Sequence, residues 1–224
     1  MCGRFTLTVT LEELMLRFGV AEWAGTIYQP RYNIAPMQMI FAIVNDGKKN
    51  RLGQLRWGLV PSWAKDEKMA GKMINARSET ILEKASFQSL IHRKRCIVPA
   101  DSFYEWKVAN GKKHPIRFMV RGEDIFSLAG LYDTWINPAD GQKVSTCTII
   151  TTSPNPLVAD VHNRMPVILK KQDEAKWLDR SNTSIEELVS LLTPYPQEGM
   201  YAYPVSPIVG NVKNDIPDCI AKVD

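Results

Sequence analysis

Phe103-Tyr104-Glu105-Trp106-Lys107-Val108, then Ala109-Asn110-Gly111, then Ile116-Arg117-Phe118-Met119-Val120 is the stretch that decides the fold. Both flanking runs are rich in aromatic and β-branched residues, which favour strands. The Asn-Gly pair between them tolerates the positive φ angles of a tight hairpin. Working outward, Met39 to Val44 reads as an apolar strand that Asn45-Asp46-Gly47 turns back towards Leu52 to Trp57. Further strands are expected at Ile97-Val98, Ile125 to Leu131 and Val144 to Thr151, and Tyr201 to Val205, running on to Val212, reads as an edge strand.

Helical signals are fewer. Thr10-Leu11-Glu12-Glu13 is a capping box that opens a helix through Phe18, and Gly19 ends it. Short helices are expected at Asn75 to Leu82 and Pro156 to Val161. Further helices are expected at Gln172 to Leu178 and at Ile185 to Leu192, the latter behind a Thr183-x-x-Glu186 box. Strands dominate, helices gather near the ends, and no regular βαβ alternation is present. The expectation is an α+β fold: one domain over residues 1–224, with a curved, barrel-like, mainly antiparallel sheet and peripheral helices.

A chain of 224 residues with 45% hydrophobic and 23% charged content is an ordinary folded protein with a real core. No run of about 18 apolar residues marks a membrane span. Arg4 and Glu12-Glu13 break the layout of a secretory signal, so the cytoplasm is the expected compartment. Cysteines at 2, 96, 147 and 219 form no CxxC pair, and histidines at 92, 114 and 162 share no metal-ligand spacing. No metal and no cofactor are expected, and no phosphate-binding glycine loop is present. Cys96 and Cys147 lie in strand-like runs and read as core. The net charge of +4 permits a polyanionic partner without requiring one. Arginines beside rings or glycine, at Arg4-Phe5, Arg31-Tyr32 and Arg56-Trp57-Gly58, and the cluster Arg93-Lys94-Arg95 suit a groove for single-stranded nucleic acid or plain snorkelling surface cations.

The chemistry-bearing segment with the sharpest reading is Met1-Cys2-Gly3-Arg4-Phe5. A side chain as small as cysteine at position 2 permits removal of Met1, which would leave Cys2 with a free α-amine and a thiol on neighbouring carbons. Such an amine titrates near ~7.7–8, against ~10.4 for lysine, and is partly nucleophilic at neutral pH. With an aldehyde it can form a Schiff base that the thiol closes into a thiazolidine. The alternative is a buried cysteine that opens a strand. Glu105, among rings, either carries a raised pKa as a general acid or base or faces solvent on an alternating strand. His162, in His162-Asn163-Arg164-Met165-Pro166, is either a proton relay held neutral by the arginine or a capping residue. Asn75 could orient a hydroxyl or cap a helix, and Arg4 and Arg77 could each take a phosphate or lie idle on the surface.

Together, Met-Cys-Gly-Arg, Arg-Tyr-Asn-Ile-Ala-Pro (31–36), Trp-Gly-Leu-Val-Pro-Ser-Trp (57–63), Ile-Asn-Ala-Arg-Ser-Glu-Thr (74–80), Phe-Tyr-Glu-Trp and His-Asn-Arg-Met-Pro follow one order. This set resembles the SRAP family, the SOS-response-associated peptidase-like proteins that process abasic DNA sites. The resemblance implies a mature N-terminal cysteine that crosslinks to an abasic site in single-stranded DNA. It implies Cys2 as nucleophile, with Asn75, Glu105 and His162 completing the active site. It places Arg4, Arg77 and Arg164 against the DNA backbone, Trp63 in a loop that wedges between bases, and Pro36 in a second stacking loop. Where the family can present two consecutive tryptophans, this chain has Trp63-Ala64. The implied partner is single-stranded DNA, bound by a monomer, with unspecified replication or repair proteins and no membrane. Two rivals stand beside it: a cysteine-dependent peptidase pairing Cys2 with His162, and a non-catalytic single-strand binding module.

Overall fold

The computed structural model describes residues 2–23, 25 and 27–223. In chain order its strands are β1 (Phe5–Leu7), β2 (Arg31–Ile34), β3 (Met39–Asn45), β4 (Asn50–Trp57), β5 (Asn75–Arg77), β6 (Arg95–Ala100) and β7 (Ser102–Ala109). They continue with β8 (Lys112–Val120), β9 (Phe126–Ile136), β10 (Lys143–Thr152), β11 (Met165–Pro166), β12 (Ile168–Leu169) and β13 (Met200–Pro204). The helices are α1 (Leu11–Phe18), α2 (Ala85–Gln88), α3 (Leu90–Arg93), α4 (Pro156–Ala159), α5 (Glu174–Leu178) and α6 (Ile185–Ser190).

The hairpin that decided the fold forms as its turn chemistry requires. Asn110 and Gly111 both take positive φ, 51° and 71°, and β7 pairs with β8 from Phe103 opposite Phe118 to Ala109 opposite Lys112. One sheet of five strands runs in the order β13-β8-β7-β1-β2. In the other, β4-β3-β6-β9-β10 pair in turn, and a parallel β10–β4 contact closes the ring. Closure removes the free edges that a curved open sheet would expose. The fold is a mixed α+β domain built on this closed barrel and a flanking antiparallel sheet. Phe5 meets Trp57 edge-on with ring centroids 5.4 Å apart, joining the flanking sheet to the barrel. None of the described helices is long and apolar enough to cross a membrane.

Helix α1 has the expected reciprocal cap. Thr10 accepts from the Glu13 N–H, Glu13 accepts from the Thr10 N–H, and Gly19 closes the helix in the left-handed conformation. Other expectations shift. Asn75–Arg77 is a strand, parallel to β10 with Asn75 opposite Ile149, and only Ser78–Thr80 makes a 3₁₀ turn. Pairing along β10 satisfies this backbone and overrides a weak local helical signal. The cap of α6 is Ser184, which accepts from Glu187 N–H, one residue beyond the expected box. The last strand ends at Pro204, and the chain turns at Pro207–Gly210 instead of extending to Val212. Helices α2 and α3 also fall mid-chain, so helices are not confined to the ends.

Arg95 corrects the reading of the basic cluster. It is 4% exposed, and its guanidinium donates to the carbonyls of Trp177 (2.6 Å), Ile91 (2.5 Å), His92 (2.6 Å), Asn182 (3.3 Å) and Asp179. All but Asn182, which lies in the turn after α5, are carbonyls left over at the ends of α3 and α5, which helices of one turn cannot bond internally. Arg95→Met would strand several buried acceptors. It is expected to lower stability by about 3 kcal/mol, read as a lower urea midpoint with an unchanged slope.

Candidate active site

Strand register brings position 2 to Glu105. Phe5 of β1 pairs with Phe103 of β7, and Tyr104 N–H donates to the Arg4 carbonyl at 3.0 Å. The chain before Phe5 therefore runs antiparallel beside Tyr104-Glu105-Trp106. Cys2 is 4% exposed, and its buried thiol lies close enough to the Glu105 carboxyl for each group to shift the other's protonation. Asn75, at the start of β5, donates from Nδ2 to the Cys2 carbonyl at 3.2 Å and to the Ile149 carbonyl at 3.4 Å. Its Oδ1 is buried with no hydrogen-bond partner among the described residues.

His162 follows α4, where its backbone N–H closes the helical turn on the Val158 carbonyl at 2.8 Å. Its Nδ1 accepts from the Arg164 N–H at 3.1 Å and lies 3.8 Å from Glu105 Oε1. The same Nδ1 lies 3.2 Å from the Arg164 carbonyl, so the Arg164 backbone offers this nitrogen both a donor and an acceptor. Cys2, Asn75, Glu105 and His162 thus converge from β1, β5, β7 and the loop before β11. Glu105 and His162 line a cleft of about 650 Å³ together with Arg4, Trp106, Lys113 and Pro207.

Burial sets the protonation states. Glu105 is 2% exposed, and loss of hydration pushes its carboxyl up to about 7. It faces inward, not to solvent. Burial, and then the adjacent carboxylate, hold the Cys2 thiol well above its ordinary value. Burial also lowers the His162 pKa, and the Arg164 charge adds to it, which keeps the imidazole neutral.

The cations divide into two kinds. Arg4 Nη1 donates to Asn33 Oδ1 and to the Val209 carbonyl, both at 2.7 Å, and its guanidinium lies 5.6 Å from the Trp106 ring. It is a fixed wall of the cleft. Arg164 forms a bidentate pair with Glu79 at 2.7 and 2.9 Å and donates to the Thr151 carbonyl at 2.7 Å. Arg77, exposed on β5, stands opposite the same Thr151. Of the other arginines singled out from sequence, Arg31 pairs with Asp215 and Arg56 with Glu67.

Trp63 and Pro36 lie on separate loops outside the cleft lining. Trp63 is 60% exposed, on a loop pinned at Ser62 N–H by Asp133 (2.7 Å) and at the Ala64 carbonyl by Trp135 Nε1 (2.7 Å). Pro36 is half-buried after β2. Sequence reasoning missed Asp133 and Trp135, which nothing in their local pattern marks, and did not read Glu79, inside the 74–80 motif, as the partner of Arg164, because each acts on a segment distant in the chain.

A buried thiol, a carboxyl poised near neutrality and an imidazole thus lie together beside a cleft of an α+β domain. The family model for SOS response associated peptidase (SRAP) matches residues 1–212, and the chain belongs to this family. It is 50% identical, over 98% of this chain and 99% of the relative, to the abasic site processing protein YoqW of Bacillus subtilis (strain 168). It is 36% identical to the abasic site processing protein HMCES of Gallus gallus, over 88% of this chain and 67% of that one. A crystal structure of a protein from Bacteroides thetaiotaomicron superposes with a TM-score of 0.90 at 31% identity, covering 99% of this chain and 100% of that one.

The Glu105 environment has a thermodynamic consequence. Its folded pKa of about 7 lies above the ordinary value of 4.5, so the folded state holds the proton more tightly. Stability attributable to this group is complete below about 4.5 and falls as pH rises through about 7. Glu105→Gln should therefore raise the thermal midpoint at pH 8, and the gain should vanish at pH 4. An equal shift at both pH values would contradict the raised pKa.

Proposed function

We propose that the chain recognises abasic sites in single-stranded DNA and captures them as a covalent thiazolidine through Cys2, once Met1 is removed. Met1 itself lies outside the described residues. The observation that carries the proposal is the pairing of Cys2 with Glu105: a buried carboxyl with a pKa of about 7 beside the buried thiol, next to the amine that Met1 removal would free. The names of the relatives, abasic site processing proteins, support the substrate class.

The ring-open abasic sugar presents an aldehyde at C1′. His162, held neutral, and Glu105 move the proton that opens the closed hemiacetal. The Cys2 amine adds to C1′, and water leaves as Glu105 supplies the proton, which gives an iminium. The buried thiol then passes its proton to the Glu105 carboxylate as sulfur attacks C1′, and the iminium nitrogen becomes the ring amine. Asn75, bonded to the Cys2 carbonyl, holds the nucleophile in line. The raised thiol pKa suits this on-demand deprotonation and opposes a peptidase reading, whose cysteine needs a depressed pKa.

Arg77 and Arg164 at the end of β10, with Arg4 on the cleft wall, would meet flanking phosphates, giving affinity that depends on salt and not on sequence. Trp63 and Pro36 would stack on neighbouring bases. An abasic nucleotide enters the cleft at low cost because it has no base to unstack.

The test mixes protein of confirmed Met1-free mass with a single-stranded oligonucleotide carrying one abasic site, and resolves the products on a denaturing gel. A slower band that requires both the lesion and Cys2 is expected. Equal, non-covalent binding of intact and abasic strands would instead leave a binding module. Cys2→Ala keeps the amine and is expected to lose the stable crosslink while still nicking the strand, since a C1′ Schiff base acidifies C2′ for β-elimination. Glu105→Gln should slow crosslinking by about a hundredfold or more.

A further inference from the structure

Glu79 stands outside the cleft lining, yet a continuous chain of contacts leads from it to the acid–base pair. The junction is Thr151 of β10, which has Arg77 of β5 opposite it on one side and Pro166 of β11 on the other. The chain leaving Arg77 makes the 3₁₀ turn Ser78–Thr80, which presents Glu79. The chain approaching Pro166 presents Arg164. The Arg164 guanidinium spans the gap between them. Its Nη1 and Nη2 donate to the two Glu79 oxygens at 2.7 and 2.9 Å, and Nη2 also donates to the Thr151 carbonyl at 2.7 Å. Its Nε is buried with no hydrogen-bond partner among the described residues, so the side chain is held through Nη1 and Nη2. A planar fork gripped at two points by one carboxylate has a fixed orientation.

Fixing that fork also restrains the backbone of residue 164, and this backbone holds the imidazole. Arg164 N–H donates to His162 Nδ1 at 3.1 Å, and the Arg164 carbonyl lies 3.2 Å from the same nitrogen. That nitrogen stands 3.8 Å from Glu105 Oε1. A displacement of residue 164 would therefore carry the ring away from the carboxyl. Glu79 is half-exposed, and such ion pairs add little to folding stability. Its consequence is placement.

We propose that Glu79 is a positioning residue for abasic-site capture: through Arg164 it holds the His162 imidazole at Glu105. This inference rests on the proton-transfer role given to His162 above. Its readout is the rate of capture, not the affinity for DNA.

The experiment uses Met1-free native protein, Glu79→Ala, His162→Ala and the double variant. Each is mixed, at saturating concentration, with a single strand carrying one abasic site, and the crosslinking rate is followed on denaturing gels. Affinity is measured separately on a strand with a tetrahydrofuran analogue, which has no aldehyde. Glu79→Ala is expected to crosslink about tenfold more slowly, part of the roughly hundredfold that a misplacement of about 1 Å can cost. Its affinity should not fall, because losing a carboxylate near the phosphates lessens repulsion. Its melting temperature should stay close to the native value. In the His162→Ala background the same change should have no further effect, since residues acting through one contact do not add. Should His162→Ala crosslink too slowly to follow, the ¹⁵N resonances of the His162 ring decide, and they should move in Glu79→Ala. A native rate in Glu79→Ala, the same loss in both backgrounds, or unmoved ring resonances would overturn the proposal. No crosslink with the native protein would instead overturn the abasic-site reading, while the ring resonances would still test the positioning.

Discussion

The antiparallel register that sets Phe5 opposite Phe103 is the constraint on which the site depends. Period-two geometry leaves no latitude: a slip of one residue would turn every side chain of β1 to the other face. The register is held by aromatic packing, since Phe5 lies against Trp57 of the barrel and Phe103 stacks on Phe118 at 5.1 Å. With those rings in place, the chain before Phe5 is led along Tyr104-Glu105-Trp106, which brings Cys2 into the neighbourhood of Glu105. Burial of that carboxyl among aromatic neighbours then supplies a proton carrier at neutrality, with no dedicated charge partner needed.

β10 does comparable work from the barrel side. It is paired in parallel first with β4, at Thr146 and Cys147, and then with β5, from Ile149 to Thr151. Two strands in line along one rail force the chain between them, residues 58–74, to loop outward, and Trp63 rides on that loop. Asp133 and Trp135 of β9 pin the loop from beneath, so an exposed aromatic side chain stands on a rigid base. The same end of β10 gathers Asn75, Arg77 and Arg164. Pairing geometry, more than local sequence, decides which polar groups share the mouth of the cleft.

Much of the fold was legible because local chemistry was strong. The Thr10–Glu13 box, the Gly19 stop and the Asn110-Gly111 hairpin need only their own neighbours, and each formed as read. Segments of three or four residues were not legible. β1, β2 and β5 are too short to carry periodicity, and β5 was read as helix because its extension depends on β10. The arginines show the same divide. Arg31, Arg56 and Arg95 look alike in sequence, yet Asp215, Glu67 and five backbone carbonyls occupy them.

By itself the sequence determined an α+β, strand-rich chain and the chemical types at the site: a cysteine at position 2, a glutamate among rings, a histidine beside an arginine, and their membership in one ordered set of motifs. Those are properties of composition and order. Whether Glu105 faced solvent or core, what surrounds the His162 ring, and which arginines remain open to a ligand were decided only by tertiary structure. Each of these depends on desolvation or on a partner distant in the chain. Such terms exist only once the barrel has closed and the flanking sheet has packed against it.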